Sequence, residues 1–226
     1  QNNQIMRPLL FILIIFATIC ANAQLINLNP DPNGEPWIAG GVKEPTAEEL
    51  AEIKAIPKLQ LTTISENTTL PNSVDNSTLD YWPGIGYQGP YENCAQYAGI
   101  YYTFTYEINR VRNVSTTSEN TYHHHYTWNF LNYGSNTSSI TTDGWEIVME
   151  NGCPTYPAFG GDDVGYLKWM SGYDKYYQAQ HNKVESYYQI EILNESGLND
   201  LKHWINDHNA GASTGGLAVQ VQVYKR

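Results

Sequence analysis

The sequence predicts an α+β fold in which helices come first and strands enter late, and three patterns carry the prediction. Apolar and aromatic residues recur at Cys94, Tyr97, Ala98, Tyr101, Phe104, Ile108 and Val111, the three-and-four spacing of a long helix with one buried face. Residues 121–131 and 143–152 continue the helical patterning. Only then do strand patterns occur, at 186–193 and, alternating apolar with polar, at 217–224, with a helix over 197–209 between them. The chain has 226 residues and is 41% hydrophobic, enough for one domain of ordinary size plus extensions.

In chain order, Met6-Arg7-Pro8 and the apolar run Leu9 to Ala17 read as the basic and hydrophobic parts of a signal peptide. Ala21-Asn22-Ala23 supplies small residues at a cleavage site, so the expected signal is 1–23, with Met6 as initiator and Gln24 as the mature start. The apolar run is short for a membrane span, and the expected destination is secretion, extracellular or periplasmic, with no stable membrane insertion after cleavage. Residues 24–69 read as a short pro-segment or linker, rich in turn formers around Asn29 to Gly34. Within it Thr46 and Glu49 stand at capping-box spacing before a short helix.

The domain is expected over 70–226. Trp82-Pro83-Gly84-Ile85-Gly86 punctuates a loop, and the central helix then opens at Cys94. In the later helices Tyr126 and Phe130, then Trp145, Val148 and Met149, are the expected inward residues, with Gly152 as a C-cap. Residues 154–173 read as loop, and Leu198, Leu201, Trp204 and Ile205 as the inner face of the last helix.

The net charge of −11 argues against a nucleic-acid partner, whose phosphates call for a basic surface. Eighteen Tyr suit half-exposed surfaces and grooves, because each buries area while keeping a hydroxyl within reach of a partner. Once the signal and Cys20 are removed, two cysteines remain, Cys94 and Cys153. In an exported chain they could form one disulfide.

Their settings differ. Cys153 lies in a turn, Gly152-Cys153-Pro154, whereas Cys94 sits where a Gly/Pro loop becomes a helix. A helix start offers unpaired N–H groups and partial positive charge, which favour a thiolate. Acyl transfer also needs donors aimed at a developing oxyanion; the Cys94 N–H and the Gln88 amide are the candidates, with Asn93 as helix cap.

Gln88-Gly89 followed by Cys94, Ala95, Tyr97 and Ala98 resembles the oxyanion-and-nucleophile segment of papain-like cysteine peptidases, with the same Gln-to-Cys spacing. Leu70-Pro71-Asn72-Ser73-Val74-Asp75 is similar to the mature start of such enzymes, and 144–152 with Tyr156-Pro157 to their later helix and Tyr-Pro turn. The segment 197–224 resembles the lead into their second lobe. The resemblance implies a helical left lobe around the helix that starts at Cys94, plus the beginning of a β-rich right lobe. It implies Cys94 as nucleophile, Gln88 as oxyanion donor, a protein or peptide substrate and no cofactor. The family's general-base His and its orienting Asn lie far downstream of the nucleophile, so they are expected beyond Arg226, and residues 1–226 alone are expected to be inactive.

This sequence departs from the family at Ala95, where a Trp is usual, and at Tyr91 and Glu92, where a Cys and a Gly are common. Ser138 and Ser139 stand about where the family has a Gly pair lining the substrate groove. Two other readings stay open: an inactive protein on the same scaffold, and an unrelated Tyr/Trp-rich secreted binding protein with Cys94 bridged to Cys153. His123-His124-His125 is expected at a solvated helix start, because consecutive helical residues diverge and do not converge on one metal ion. Asp162-Asp163 offers too few carboxylates for calcium, and the sequons at Asn67, Asn76, Asn113, Asn136 and Asn194 matter only in a glycosylating host.

Overall fold

The computed structural model describes residues 43, 45–59, 69–161, 165, 167–192 and 194–209, all within the compact unit Gly40–Arg226. The expected signal at 1–23 and the expected strand at 217–224 lie outside the described residues. What is described is mostly helical: α1 (Ala47–Ala55), α2 (Cys94–Gln96), a π segment (Tyr97–Phe104), α3 (Thr105–Arg112), α4 (His124–Leu131), α5 (Thr141–Asn151), α6 (Tyr156–Phe159), α7 (Tyr173–Ala179) and α8 (Glu195–Asn209).

Helix α1 starts as its sequence predicts. The Thr46 side chain accepts from the Glu49 N–H, and Glu49 accepts in return from the Thr46 N–H. The helix buries none of its residues fully and is tied to the domain at both sides. The Lys43 N–H donates to the Ser139 carbonyl at 3.0 Å, and in a parallel bridge at Lys58 the Leu59 N–H donates to the Gln189 carbonyl and the Gln189 N–H to the Pro57 carbonyl.

Among the described residues that bridge is all that forms of the strand expected at 186–193. Its neighbour among the described residues is 57–59, and Pro57 has no N–H to extend a ladder. Among the described residues strand structure amounts to isolated bridges, this one and Tyr122 with Thr155, so the α+β expectation holds here only for its helical part. No described helix is long and apolar enough to cross a membrane.

The central helix runs from Cys94 to Arg112 without a break, but its middle is wound as a π helix. Two side-chain donors account for this. Trp145 Nε1–H donates to the Gly99 carbonyl at 3.1 Å, and the Thr105 hydroxyl to the Ile100 carbonyl at 3.2 Å, taking acceptors that an α-helical ladder uses. The i→i+5 winding shifts the phase of everything after it. Val111, expected on the buried face, is 75% exposed, while Tyr106 and Asn109 are fully buried.

Helix α5 crosses this helix at very close range. A Cβ on Gly99 would meet Thr141 Cγ2 at 2.8 Å, and one on Gly144 would lie 1.7 Å from the Gln96 side-chain oxygen. Gln96 joins three elements here: its amide donates to Ser139 Oγ and to the Ile140 carbonyl, and its oxygen accepts from Thr127 Oγ1. Around this crossing the core gathers Ile100, Phe104, Tyr122, Tyr126, Val148, Cys153, Phe159 and Met170.

Other expectations change too. The start of α4 is a buried layer and not a solvated end: His123, His124 and His125 all lie inside, and the His123 ring caps the helix by accepting from the His125 N–H. Phe130 is 41% exposed and Trp128 fills the core in its place, because α4 begins at His124 after Tyr122 pairs with Thr155. Of the residues expected inward in α5, Val148 is fully buried and Trp145 packs half-buried against the core, while Met149 faces outward; Gly152 ends the helix at φ 71°. The stretch 154–173, expected as loop, contains α6, and α7 follows directly. In α8, among the described side chains, His203 and Gly197 are buried, Leu201, Trp204 and Ile205 are half-buried, and Leu198 is 43% exposed.

Candidate functional site

The loop before Cys94 rests on an aromatic bed. Trp82 stacks on Tyr102 with ring centres 4.8 Å apart, and the Tyr101 hydroxyl donates to the Pro83 carbonyl at 3.2 Å. Gly86 lies so near Tyr97 that a Cβ would sit 2.2 Å from its hydroxyl. Gly84 and Gly89 turn the chain at φ 77° and 79°, values that favour glycine. Further on, Tyr91 packs edge-on against His125, and the Glu92 N–H donates to Asn136 Oδ1 at 2.8 Å. The loop is thus fixed to the central helix on one side and to the segment after α4 on the other.

Cys94 opens the helix as the sequence predicts, is partly exposed, and carries a thiol, as does the fully buried Cys153; they are not bridged. Burial pushes the Cys94 thiol above its ordinary value, and the Glu92 charge adds to that. The N–H groups of Ala95 and Cys94 act in the opposite direction but do not overcome it. A Cys94 thiolate near neutral pH therefore requires a proton acceptor or a cation beside it. Burial holds Cys153 protonated, with its sulfur against the His123 carbonyl.

Gln88 is on the same loop, half-buried. Its amide donates to the Tyr91 carbonyl at 3.1 Å, and its own carbonyl lies 3.5 Å from the Asn93 amide. The bond to Tyr91 uses one of the two N–H groups a carboxamide carries. Asn93 does not cap the helix as expected. It occupies the cap position at φ −111°, ψ 13°, but its side chain turns inward, where Nδ2 meets His125 Nε2 at 3.0 Å. Ser139 also faces inward: its hydroxyl accepts from Gln96 and its carbonyl from Lys43.

The three histidine rings do not point apart as expected of consecutive residues: their centres lie 5.3, 5.6 and 4.7 Å from one another, although each ring bonds a different partner. His123 Nε2 meets the Gly161 carbonyl at 2.8 Å, His124 Nδ1 the Tyr156 hydroxyl at 2.9 Å, and His125 the Asn93 amide. Because His123 Nδ1 accepts from a backbone N–H, its proton lies on Nε2 and is donated to Gly161. Burial keeps all three neutral: His123 is lowered to about 3, His125 to about 4, and His124 well below the ordinary value. Among the described residues no three His, Cys, Asp or Glu side chains are placed to hold a metal ion.

Acidic side chains gather between α1 and α5, where Glu49 and Glu52 face Asp143 and Glu146. Burial and these neighbours push Asp143 up to about 6, and Tyr187 donates to Glu146 at 2.9 Å.

Comparison with protein-family models, curated proteins and solved structures returns no match for this chain. The residues that sequence reasoning missed are Asn93 and His125 as a buried pair. Their signal was present: Tyr122, Tyr126 and Trp128 surround the histidines with core-forming side chains, so that polar run belonged inside.

Proposed function

We propose that this protein is a secreted cysteine peptidase of the papain-like kind, cleaving peptide bonds through an acyl-enzyme on Cys94. The observation that carries the reading is the placement of Cys94: a partly exposed thiol in the first turn of the buried central helix, on a loop held from both sides. In this reading a base takes the Sγ proton as sulfur attacks the substrate carbonyl carbon. The resulting oxyanion accepts from the Cys94 N–H and from Gln88, whose amide turns from Tyr91 toward the substrate. Collapse of the tetrahedral species expels the amine, which receives the proton, and water then releases the acyl group.

The raised thiol makes that base indispensable. None of His123, His124 and His125 is assigned the role: each is buried, held neutral, and bonded to another group. The base is assigned, as the family resemblance implies, to a histidine far downstream of Cys94. A non-catalytic protein on the same scaffold is the second reading, and the bond from the Gln88 amide to Tyr91 together with the raised thiol favours it.

The deciding experiment uses protein produced from the complete reading frame, with peptide substrates and an epoxide that alkylates active-site thiols. The peptidase reading expects a covalent adduct on Cys94 and loss of cleavage in Cys94→Ala with unchanged circular dichroism. Cleavage retained in Cys94→Ala refutes it, and an unmodified Cys94 with no cleavage supports the binding protein.

A further inference from the structure

We propose that His125 positions Cys94, acting through the buried side chain of Asn93. Asn93 directly precedes Cys94 and is fully buried. Its backbone lies in the sparsely populated bridge region between α and β, where a residue stays only if its surroundings hold it. What holds it is its side chain. Nδ2 donates to His125 Nε2 at 3.0 Å and faces the Gln88 carbonyl at 3.5 Å, so one amide joins α4 to both ends of the nucleophile loop.

His125 is itself immobilised. Its ring packs edge-on between Tyr91 at 5.2 Å and Trp128 at 5.1 Å, and Trp128 is anchored by its Nε1–H to the Thr137 carbonyl. An amide N–H can only donate, so His125 Nε2 carries the lone pair and the imidazole proton lies on Nδ1, the neutral form that burial enforces. Asn93 Oδ1 has no hydrogen-bond partner among the described residues. A buried carbonyl left unmatched costs about 1–3 kcal/mol, so the orientation of this amide is set by the bond on its other side.

The consequence falls on the thiol. The Asn93 backbone angles direct the N–H groups of Cys94 and Ala95, and these are the groups that act to stabilise a Cys94 thiolate. The charged group acting against them is Glu92. Releasing Asn93 therefore weakens the favourable contribution and leaves the unfavourable one. The catalytic importance of this pair rests on the peptidase reading; its effect on the thiol does not.

The test is the pH dependence of Cys94 alkylation by iodoacetamide in the full chain, followed by mass spectrometry of the Cys94 peptide. In His125→Leu and in Asn93→Ala the thiol pKa is expected to rise by about one unit, slowing alkylation at neutral pH about tenfold. The double variant is expected to match the singles, because both remove one interaction. His125→Gln, whose side-chain oxygen reaches about as far as Nε2, is expected to restore the rate to within about twofold of wild type, whereas the shorter His125→Asn is not. If His125→Leu does not fold, the Gln and Asn variants decide the matter. Effects that multiply in the double variant, or equal rates in Gln and Asn, overturn the inference. Coupled thiol effects without peptide cleavage in the complete protein keep the positioning role and refute the peptidase; cleavage without coupling does the reverse.

Discussion

Mild acid should unfold this protein through three adjacent histidines. His123, His124 and His125 are buried, hydrogen-bonded to Gly161, Tyr156 and Asn93, and held neutral with values lowered to about 3, well below normal, and about 4 in that order. Their native values are depressed, so the unfolded chain takes up protons that the native one refuses. Stability is therefore complete above about pH 6.5 and falls as the pH drops toward 4. At pH 5 an imidazole with an unfolded value near 6.5 costs the native state about 2 kcal/mol, and three of them about 6 kcal/mol.

Asp143 acts the other way, since its raised value of about 6 lets the native state gain a proton over the same range. It is partly exposed, and after allowance for solvent screening it returns only about 1 kcal/mol. The net loss, about 5 kcal/mol between pH 7 and pH 5, equals the whole stability of many domains. Urea unfolding followed by tryptophan fluorescence at about pH 7, 6 and 5 should show stability falling by about 3 kcal/mol per unit in the lower interval. His123→Gln should remove about a third of that slope. A slope below about 1 kcal/mol per unit would refute the reasoning, since it would mean that the imidazoles charge in place.

Other outcomes follow from the same geometry. Gly144→Ala forces a methyl into Gln96 and should cost roughly 2 kcal/mol in chemical denaturation despite the better helix propensity of alanine. Gln96→Leu takes the amide donor from the Ile140 carbonyl and from Ser139 Oγ and should cost about 2–3 kcal/mol by the same assay. Glu92→Gln removes the charge that disfavours the Cys94 thiolate; a charge acting through water over a residue or two is worth ~0.6 kcal/mol, so alkylation at neutral pH should quicken about threefold.

The fold was legible where periodicity and capping chemistry decide it. The Thr46–Glu49 capping box, the helix opening at Cys94 and the helix ending at Gly152 follow from local residue chemistry. The misreadings are those in which a distant side chain intervenes. Trp145, 46 residues from Gly99, takes its carbonyl and changes the winding of the central helix, so a fixed 3.6-residue template placed Val111 on the wrong face. Asn93 has the composition of a cap, yet His125, 32 residues away, takes its amide. The strand pattern at 186–193 was sound as a pattern, but 57–59 supplies it with only a bridge. At the site, the thiol at a helix start was evident from sequence, whereas the orientation of the Gln88 amide toward Tyr91 depends on the curl of a loop and was not.

Cys153 has a use as a clock. Its sulfur is fully enclosed against the His123 carbonyl, and burial keeps it protonated, so a thiol reagent reaches it only in molecules that have opened. The share of its signal gained in a given time counts opening events, much as exchange of a protected amide hydrogen does. Cys94, partly exposed, reacts from the closed form and dates the exposure. The two thiols thus form a ratiometric pair in which one records the surface and the other records the integrity of the histidine layer. Their ratio follows folding in a mixture, without purification and without any substrate.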